Sequence, residues 1–204
     1  MAVLPPEPAQ EQRTSLLLQA ARNFIAECMQ PGDFAIDATV GNGHDTVFLA
    51  HCAGPQGRVF GFDIQAGALS AAQARLMGAG LSGRVALYHA GHERLDALLP
   101  PEARQTIRAA MFNLGYLPGG DHGITTRGAN TVDALTQVLA HLVPGGRVSA
   151  VIYTGHAGGE EEGAAVTGWV AGLDRRACQA LHTRLLNQGA SAPQLLLIER
   201  RCPG

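Results

Sequence analysis

The spacing of apolar residues changes period along the chain. Between Thr14 or Ser15 and Met29, the residues Leu17, Ala20, Ala21, Phe24, Ile25 and Cys28 recur at intervals of three and four. That is the pattern of a helix with one buried face. Ser15 or Thr14 supplies an N-cap, and Pro31-Gly32 stops the helix. Short, almost continuously apolar runs follow: FAIDA (34–38), RVFGFD (58–63), RVALYH (84–89), IRAAMFN (107–113) and GRVSAVIY (146–153). Each leads into a segment of helical spacing: 45–52, 66–77, 93–99, about 129–142, and 160–173. Strands that are apolar on both faces belong to a parallel sheet covered by helices on either side. Right-handed crossovers then make the sheet doubly wound. The end differs. ACQALHTRLLN (177–187) and QLLLIERR (194–201) are joined by QGASAP with no helix between them. They predict an antiparallel hairpin added to the parallel sheet. The expectation is one α/β domain from residue 14 to 204, preceded by a loose Pro-, Glu- and Gln-rich tail over 1–13.

Composition narrows the partners. The chain has 204 residues, 46% hydrophobic and 16% charged, enough to bury a real core. The formal net charge of -2 implies no broad basic surface, so an RNA partner would be gripped by local arginines. Aromatic residues make up 5%, too few for a platform of stacked bases. All 15 basic residues are Arg, which excludes Schiff-base chemistry and a P-loop lysine. The four cysteines form no Cys-x-x-Cys pair, against a zinc ribbon or dithiol redox site, and no metal is expected. The N-terminus lacks the pattern of a signal peptide, and no apolar run has the length of a membrane span. A soluble cytoplasmic protein is expected.

In doubly wound sheets ligands bind beyond the carboxyl ends of the strands. After the first strand comes Asp37-Ala38-Thr39-Val40-Gly41-Asn42-Gly43-His44-Asp45. Its glycines permit close backbone approach. The third position of a dinucleotide fingerprint is Thr46 instead of Gly, and Asp37 places negative charge where a pyrophosphate would sit. Asp63, ending the second strand, is the acid that accepts hydrogen bonds from ribose hydroxyls. A helix-capping acid is the plain alternative. Together the two features indicate a nucleoside cofactor held without a phosphate grip: S-adenosylmethionine in preference to NAD. His92, after the third strand, lines the adenine edge or lies on the surface of a first helical turn. After the fourth strand comes Asn113-Leu114-Gly115-Tyr116, beside the reactive end of such a cofactor. The Asn amide suits an amine acceptor, and the Tyr ring suits stacking on a base. A cap-and-turn is the structural alternative. His156 lies on the rim after the fifth strand, and Glu160 to Glu162 suit a helix N-terminus.

DATVGNGHDT (37–46), GFDIQ (61–65), FNLGYLPGGD (112–121), YTGHAGGEEE (153–162) and Asn187 followed by APQLLLIER (192–200) carry a family likeness. The chain resembles the bacterial tRNA (5-aminomethyl-2-thiouridine) methyltransferases, formerly labelled rRNA methylases. These are class I S-adenosylmethionine-dependent enzymes. The likeness runs from about Ser15 to the end. It implies a seven-stranded Rossmann-like sheet whose C-terminal hairpin strand is antiparallel. It implies cofactor contacts at Asp37, the Gly41–Gly43 turn with Thr39 and Asn42, Asp45, Asp63 with Ile64, and His92. It suggests Asn113, Tyr116 and His156 around the acceptor, with Asn113 also touching the cofactor. Thr154 and His122 depart from the family's commoner Pro and Lys.

The resemblance implies transfer of a methyl from a sulfonium to the aminomethyl nitrogen of a wobble uridine in a tRNA anticodon loop. Asn113 orients the amine; His92, His122, His156 and Asp121 remain the candidate proton acceptors. A methyltransferase acting on rRNA or on a small amine fits the same motifs. An NAD-dependent oxidoreductase and a non-catalytic scaffold fit them less well. Arg175-Arg176 and Arg200-Arg201 are the densest basic spots, with Arg104, Arg108 and Arg127 placed near the rim. A homodimer would enlarge the RNA footprint of so small a domain; the residues leave the oligomeric state open.

Overall fold

The structure is a computed structural model that describes residues 15–115, 126–156, 158–189 and 191–202. The element order is α1 (Leu16–Ala26), β1 (Phe34–Asp37), α2 (His44–Ala53), β2 (Arg58–Asp63), α3 (Ala66–Gly78), β3 (Val85–His89), α4 (Leu95–Leu98), β4 (Ile107–Leu114), α5 (Gly128–His141), β5 (Leu142–Ile152), α6 (Gly159–Ala171), β6 (Cys178–Arg184) and β7 (Gln194–Arg200). The sheet has seven strands in the order β3-β2-β1-β4-β5-β7-β6. β1 to β5 are parallel, and β7 runs antiparallel to both β5 and β6. The strand order reverses between β1 and β4, so a ligand crevice is expected at the ends of Asp37 and Asn113.

Consecutive residues along each strand enter opposite cores, because side chains alternate across a pleated sheet. Ile36, Phe60, Phe112, Ile152 and Leu196 face one core with α4, α5 and α6. Their neighbours Ala35, Val59, Met111, Val151 and Leu195 face the other, with α1, α2 and α3. Leu17, Ala21 and Ile25, at intervals of four, form the buried stripe of α1. Ser15 Oγ accepts the Leu18 N–H and caps that helix. Thr14 lies outside the described residues. The helix ends at Ala26, short of Met29, with Glu27 as its C-cap. Arg147 binds this end: its guanidinium donates to Phe24 O at 2.9 Å and Glu27 Oε2 at 2.9 Å, and to Glu199 Oε2 on β7 at 2.7 Å. It also lies 4.4 Å over the Phe24 ring. These contacts press α1 onto the β5–β7 side of the sheet.

β5 begins at Leu142, earlier than the apolar pattern indicates, because the chain re-enters the sheet directly after α5. The register with β4 slips between Ile107 and Ala109, where Pro144 and the positive-φ Gly145 are accommodated. The segment 1–13 lies outside the described residues. Among those described, no helix is long and apolar enough to cross a membrane.

Candidate functional site

The β1–α2 turn is built by hydrogen bonds across strands. Ala38 N donates to Met111 O of β4, Val40 N to Phe62 O of β2, and Gly43 N closes onto Val40 O. Gly43 caps α2 at φ +79°, a left-handed backbone that favours glycine. A β-carbon there would sit 2.8 Å from the Cα and Cβ of Ala72, so Gly43 also lets α2 approach α3. Asp63 ties the two turns together: Oδ2 accepts the Gly41 N–H at 2.8 Å, and Oδ1 accepts the Gln65 N–H at 2.9 Å. The exposed Ile64 follows it, an apolar surface beside the carboxylate. Asn42 turns its carbonyl outward to accept from Arg75 Nε at 2.8 Å.

Asp37 ends β1 fully buried. Its Oδ2 accepts from the Thr46 hydroxyl at 2.6 Å, and its Oδ1 from the Thr39 N–H at 3.2 Å. Burial, and then the charge of Asp45, push its carboxyl up to about 7. So Thr46, in the place of a fingerprint glycine, serves as the hydroxyl partner of this acid. His92 is also buried, and its Nδ1 lies 3.1 Å from Ala38 O. A carbonyl only accepts, so Nδ1 carries the proton, and burial holds the ring's pKa below its usual value. The neutral imidazole then presents Nε2 as an acceptor, with its ring edge toward Phe112 at 5.8 Å.

Across the switch point, Asn113 is gripped twice. Its backbone N–H donates to the Thr39 hydroxyl at 2.7 Å, and its amide Nδ2 donates to Asp45 Oδ2 at 2.7 Å. The other oxygen of Asp45 receives Arg22 Nε at 2.8 Å and Nη2 at 2.6 Å. Arg22 lies on α1. Its only mark in the sequence is a single basic residue one position past the buried Ala21. Gly115, at φ +155°, continues from Asn113; a β-carbon there would meet Tyr153 Cβ at 3.2 Å and His156 Nε2 at 3.5 Å. His156 is thus brought beside the Asn-Leu-Gly segment. Tyr116, Asp121 and His122 lie outside the described residues.

Glu160 to Glu162 occupy the first turn of α6 as expected, and Glu162 has a further role. Its carboxylate is buried, with Oε1 accepting from Thr131 Oγ1 at 2.7 Å and Oε2 from Thr126 Oγ1 at 2.5 Å. Thr126 N in turn donates to Gly115 O at 3.1 Å. This carboxylate fastens α6 to the chain entering α5, directly behind the site. A motif reading has no access to it, because its partners lie more than 30 residues upstream. The arginines are redistributed as well. Arg104 and Arg108 precede or open β4, at the end of the strand opposite Asn113, because β4 is eight residues long. Arg108 donates to Pro144 O and faces Asp33 at 3.5 Å. Arg200 pairs with Cys178 and donates to Leu142 O, which places Arg175, Arg176, Arg200 and Arg201 at that same far end. Arg127, the N-cap of α5, stays on the site side.

Among the described residues there is no cluster of His, Cys, Asp or Glu fit for a metal ion. Three carboxylates (Asp37, Asp45 and Asp63) border the crevice, and the nearest cation, Arg22, is spent on Asp45. That donor set fits a ligand with a cationic group and hydroxyls, and does not fit a pyrophosphate.

Comparison with known proteins agrees with this geometry. Residues 59–199 match the family model described as "Putative rRNA methylase". A curated relative, the Arabidopsis thaliana chloroplastic tRNA (mnm(5)s(2)U34)-methyltransferase, is 35% identical over 183 residues; the match covers 86% of this chain and 66% of the relative. The ribosomal RNA small subunit methyltransferase H of Bifidobacterium adolescentis is 31% identical over 102 residues, covering 49% of this chain and 29% of that protein. Among solved structures, a "putative rRNA-methylase" from Clostridium thermocellum superposes with TM-score 0.86 at 39% identity, covering 92% of this chain and 98% of that one. A Streptococcus mutans structure described as "a putative methyltransferase", in complex with SAH, superposes with TM-score 0.82 at 33% identity, covering 92% of this chain and 99% of that one. The chain spans less than two thirds of the length of either curated relative. With the seven-stranded order, the antiparallel end and the match over most of its length, this chain belongs to the rRNA methylase family, on the class I S-adenosylmethionine-dependent methyltransferase fold.

Proposed function

We propose that the protein is an S-adenosylmethionine-dependent RNA methyltransferase that methylates the 5-aminomethyl nitrogen of a wobble 2-thiouridine in tRNA. The observation that carries the reading is Asn113. It stands at the β1/β4 switch point, its amide nitrogen committed to Asp45, opposite the cradle formed by Gly41 and Asp63. The wobble-uridine substrate is supported by the likeness to the Arabidopsis enzyme, and the cofactor by the Streptococcus mutans structure with SAH.

S-adenosylmethionine, when bound, supplies a methyl group already activated on a sulfonium. The residues then have to hold and align. Asp63, whose bonds to the Gly41 and Gln65 N–H groups keep the cradle closed, would take the ribose hydroxyls; Ile64 would offer an apolar surface to the adenine, and neutral His92 would offer it an acceptor. Asp37 and Asp45 supply negative potential for the cationic part. Asn113, with its amide oxygen, receives an N–H of the acceptor amine and turns the amine lone pair toward the methyl carbon. With the methyl donor held there, the nitrogen–carbon bond would form as the sulfur–carbon bond breaks, and one N–H proton would leave to a base or water. Alignment of this kind supplies roughly 7–11 kcal/mol. Asn113 has no basic nitrogen and acts as orienter only. His156, beside Gly115, is the described histidine best placed to take the proton, and Tyr116 follows in sequence as a stacking surface.

The test is mass spectrometry of nucleosides from tRNA carrying 5-aminomethyl-2-thiouridine, incubated with the protein and S-adenosylmethionine. A gain of one methyl on that nucleoside is expected. Methylation of ribosomal RNA with none on this tRNA would replace the reading by rRNA methylation, the activity carried in the name of the Bifidobacterium relative.

A further inference from the structure

We propose that Arg22, on the helix that precedes the sheet, is a positioning residue for methyl transfer: acting through Asp45, it decides which end of the Asn113 amide faces the acceptor. The inference rests on the reading of Asn113 as the acceptor's hydrogen-bond partner.

A primary amide has two ends of nearly equal shape, and its hydrogen-bond partners choose between them. The choice matters here. An amine about to attack carbon needs an acceptor for its N–H and an unencumbered lone pair. The oxygen end of Asn113 supplies the first. The nitrogen end would instead donate to the lone pair that must form the new bond. Asp45, when ionised, can only accept, so it captures the Nδ2 end at 2.7 Å and turns the oxygen end away from itself.

Asp45 does this only if it is correctly rotated, and Arg22 secures that. Nε at 2.8 Å and Nη2 at 2.6 Å converge on Oδ1, which leaves Oδ2 aimed at Asn113. The bonds are charge-assisted and set the plane of the carboxylate. They also neutralise one charge in a crevice bordered by Asp37 and Asp63. Arg22 is itself placed by packing: Leu17, Ala21 and Ile25 fix the face of α1, Arg147 binds its C-terminal end, and the Arg22 guanidinium lies 5.7 Å over the Phe48 ring of α2. The residue ordering the acceptor amide therefore comes from outside the five strand–helix units. The pair is 27% exposed at Arg22 but only 8% at Asp45, so a purely structural role predicts lost stability on removing Arg22 and no particular change at the Asn113 amide.

The test uses the full chain with Arg22→Met and Arg22→Lys, alone and combined with Asn113→Ala. Arg22→Met is expected to lower kcat about 10- to 100-fold, the scale of a misplaced reacting group. The S-adenosylmethionine Kd should not weaken, because a cation leaves the crevice and no cofactor contact is lost, while the melting temperature should fall by several degrees, because buried Asp45 loses its partner. Arg22→Lys should restore much of kcat through a single bond to Oδ1. In the Asn113→Ala background Arg22→Met should add nothing. The side-chain amide signals of Asn113 in 15N–1H spectra should shift in Arg22→Met and lie nearer wild type in Arg22→Lys. An unchanged kcat, fully additive losses, or unmoved Asn113 signals would overturn the inference. If the wild-type chain transfers no methyl to any RNA, the functional reading falls, and the Asn113 signals alone decide the role of Arg22.

Discussion

Asp37→Asn separates folding from function at the centre of the crevice. The wild-type carboxyl is pushed up from 3.8 to about 7, first by burial and then by the charge of Asp45, with a smaller push from Asp63. The Thr46 hydroxyl and the Thr39 N–H act the other way but do not compensate. At about 1.36 kcal/mol per pKa unit, keeping this carboxylate ionised costs the fold about 4 kcal/mol above pH 7. The sign follows from a folded pKa above the unfolded one. The protonated form is favoured in the fold, so its stability contribution is complete below pH 3.8 and is lost as pH rises through about 7. The amide introduced by the substitution carries no charge at any pH. It can accept the Thr39 N–H through its oxygen and donate to the Thr46 oxygen through its nitrogen, and the Thr46 hydroxyl proton must then turn to another acceptor. The variant is therefore more stable than wild type at pH 8.5, by up to about 4 kcal/mol. At pH 5 the advantage shrinks by about 3 kcal/mol, because wild-type Asp37 is then protonated in the fold. For a chain of this size that change moves the Tm difference by about 6–12 °C between the two pH values. Calorimetric melts of both proteins across pH 5–8.5 measure it, with titration calorimetry for S-adenosylmethionine alongside. Affinity should fall at least about tenfold in the variant, since the negative charge facing a cationic ligand is gone. A stability difference that stays constant across this pH range would show that Asp37 does not titrate there. An unchanged affinity would show that its charge does not face the ligand. A stability penalty at a site of this kind is what a functional charge looks like energetically.

Further outcomes are expected. Asp63→Ala removes the acceptor of the Gly41 and Gln65 N–H groups as well as the proposed ribose contact, so calorimetry should find no measurable S-adenosylmethionine binding and a melting point several degrees lower, about 1–3 kcal/mol per unsatisfied amide. Asn113→Ala should leave cofactor affinity within about threefold and reduce kcat by about 100-fold or more; normal turnover would remove it from the acceptor site. Gly43→Ala puts a β-carbon 2.8 Å from Ala72 at a left-handed φ, which should cost about 2–4 kcal/mol in denaturant unfolding and weaken cofactor binding through the displaced turn. Glu162→Ala strands the hydroxyls of Thr126 and Thr131 in a buried space; a loss of about 2–4 kcal/mol is expected in the same unfolding assay, and an unchanged midpoint would mean that water replaces the carboxylate.

The apolar pattern alone specified most of the architecture. Runs such as RVFGFD and IRAAMFN carry Val59 and Phe60, or Met111 and Phe112, into two opposite cores, and only a sheet covered on both faces buries both. The missing helix before QLLLIERR specified the antiparallel end in the same local way. The glycines and acids of the β1–α2 turn were legible because the backbone conformations they permit are properties of neighbouring residues. Partnerships across the fold were not legible. Arg22 reads as one helix-surface cation and Glu162 as one acid among three at a helix start. Each acquires its role from a group that the chain brings back after a long excursion: Asp45 and, through it, Asn113 for the first; Thr126 and Thr131 for the second. The same holds for the arginines at the wrong end of β4, since distance from the site is counted along the strand and not along the motif. Local chemistry and periodicity determine which elements form and in what order. Which charges meet across those ends, and so which atom of Asn113 faces a substrate, is decided by the packing of α1 and α2 against the finished sheet.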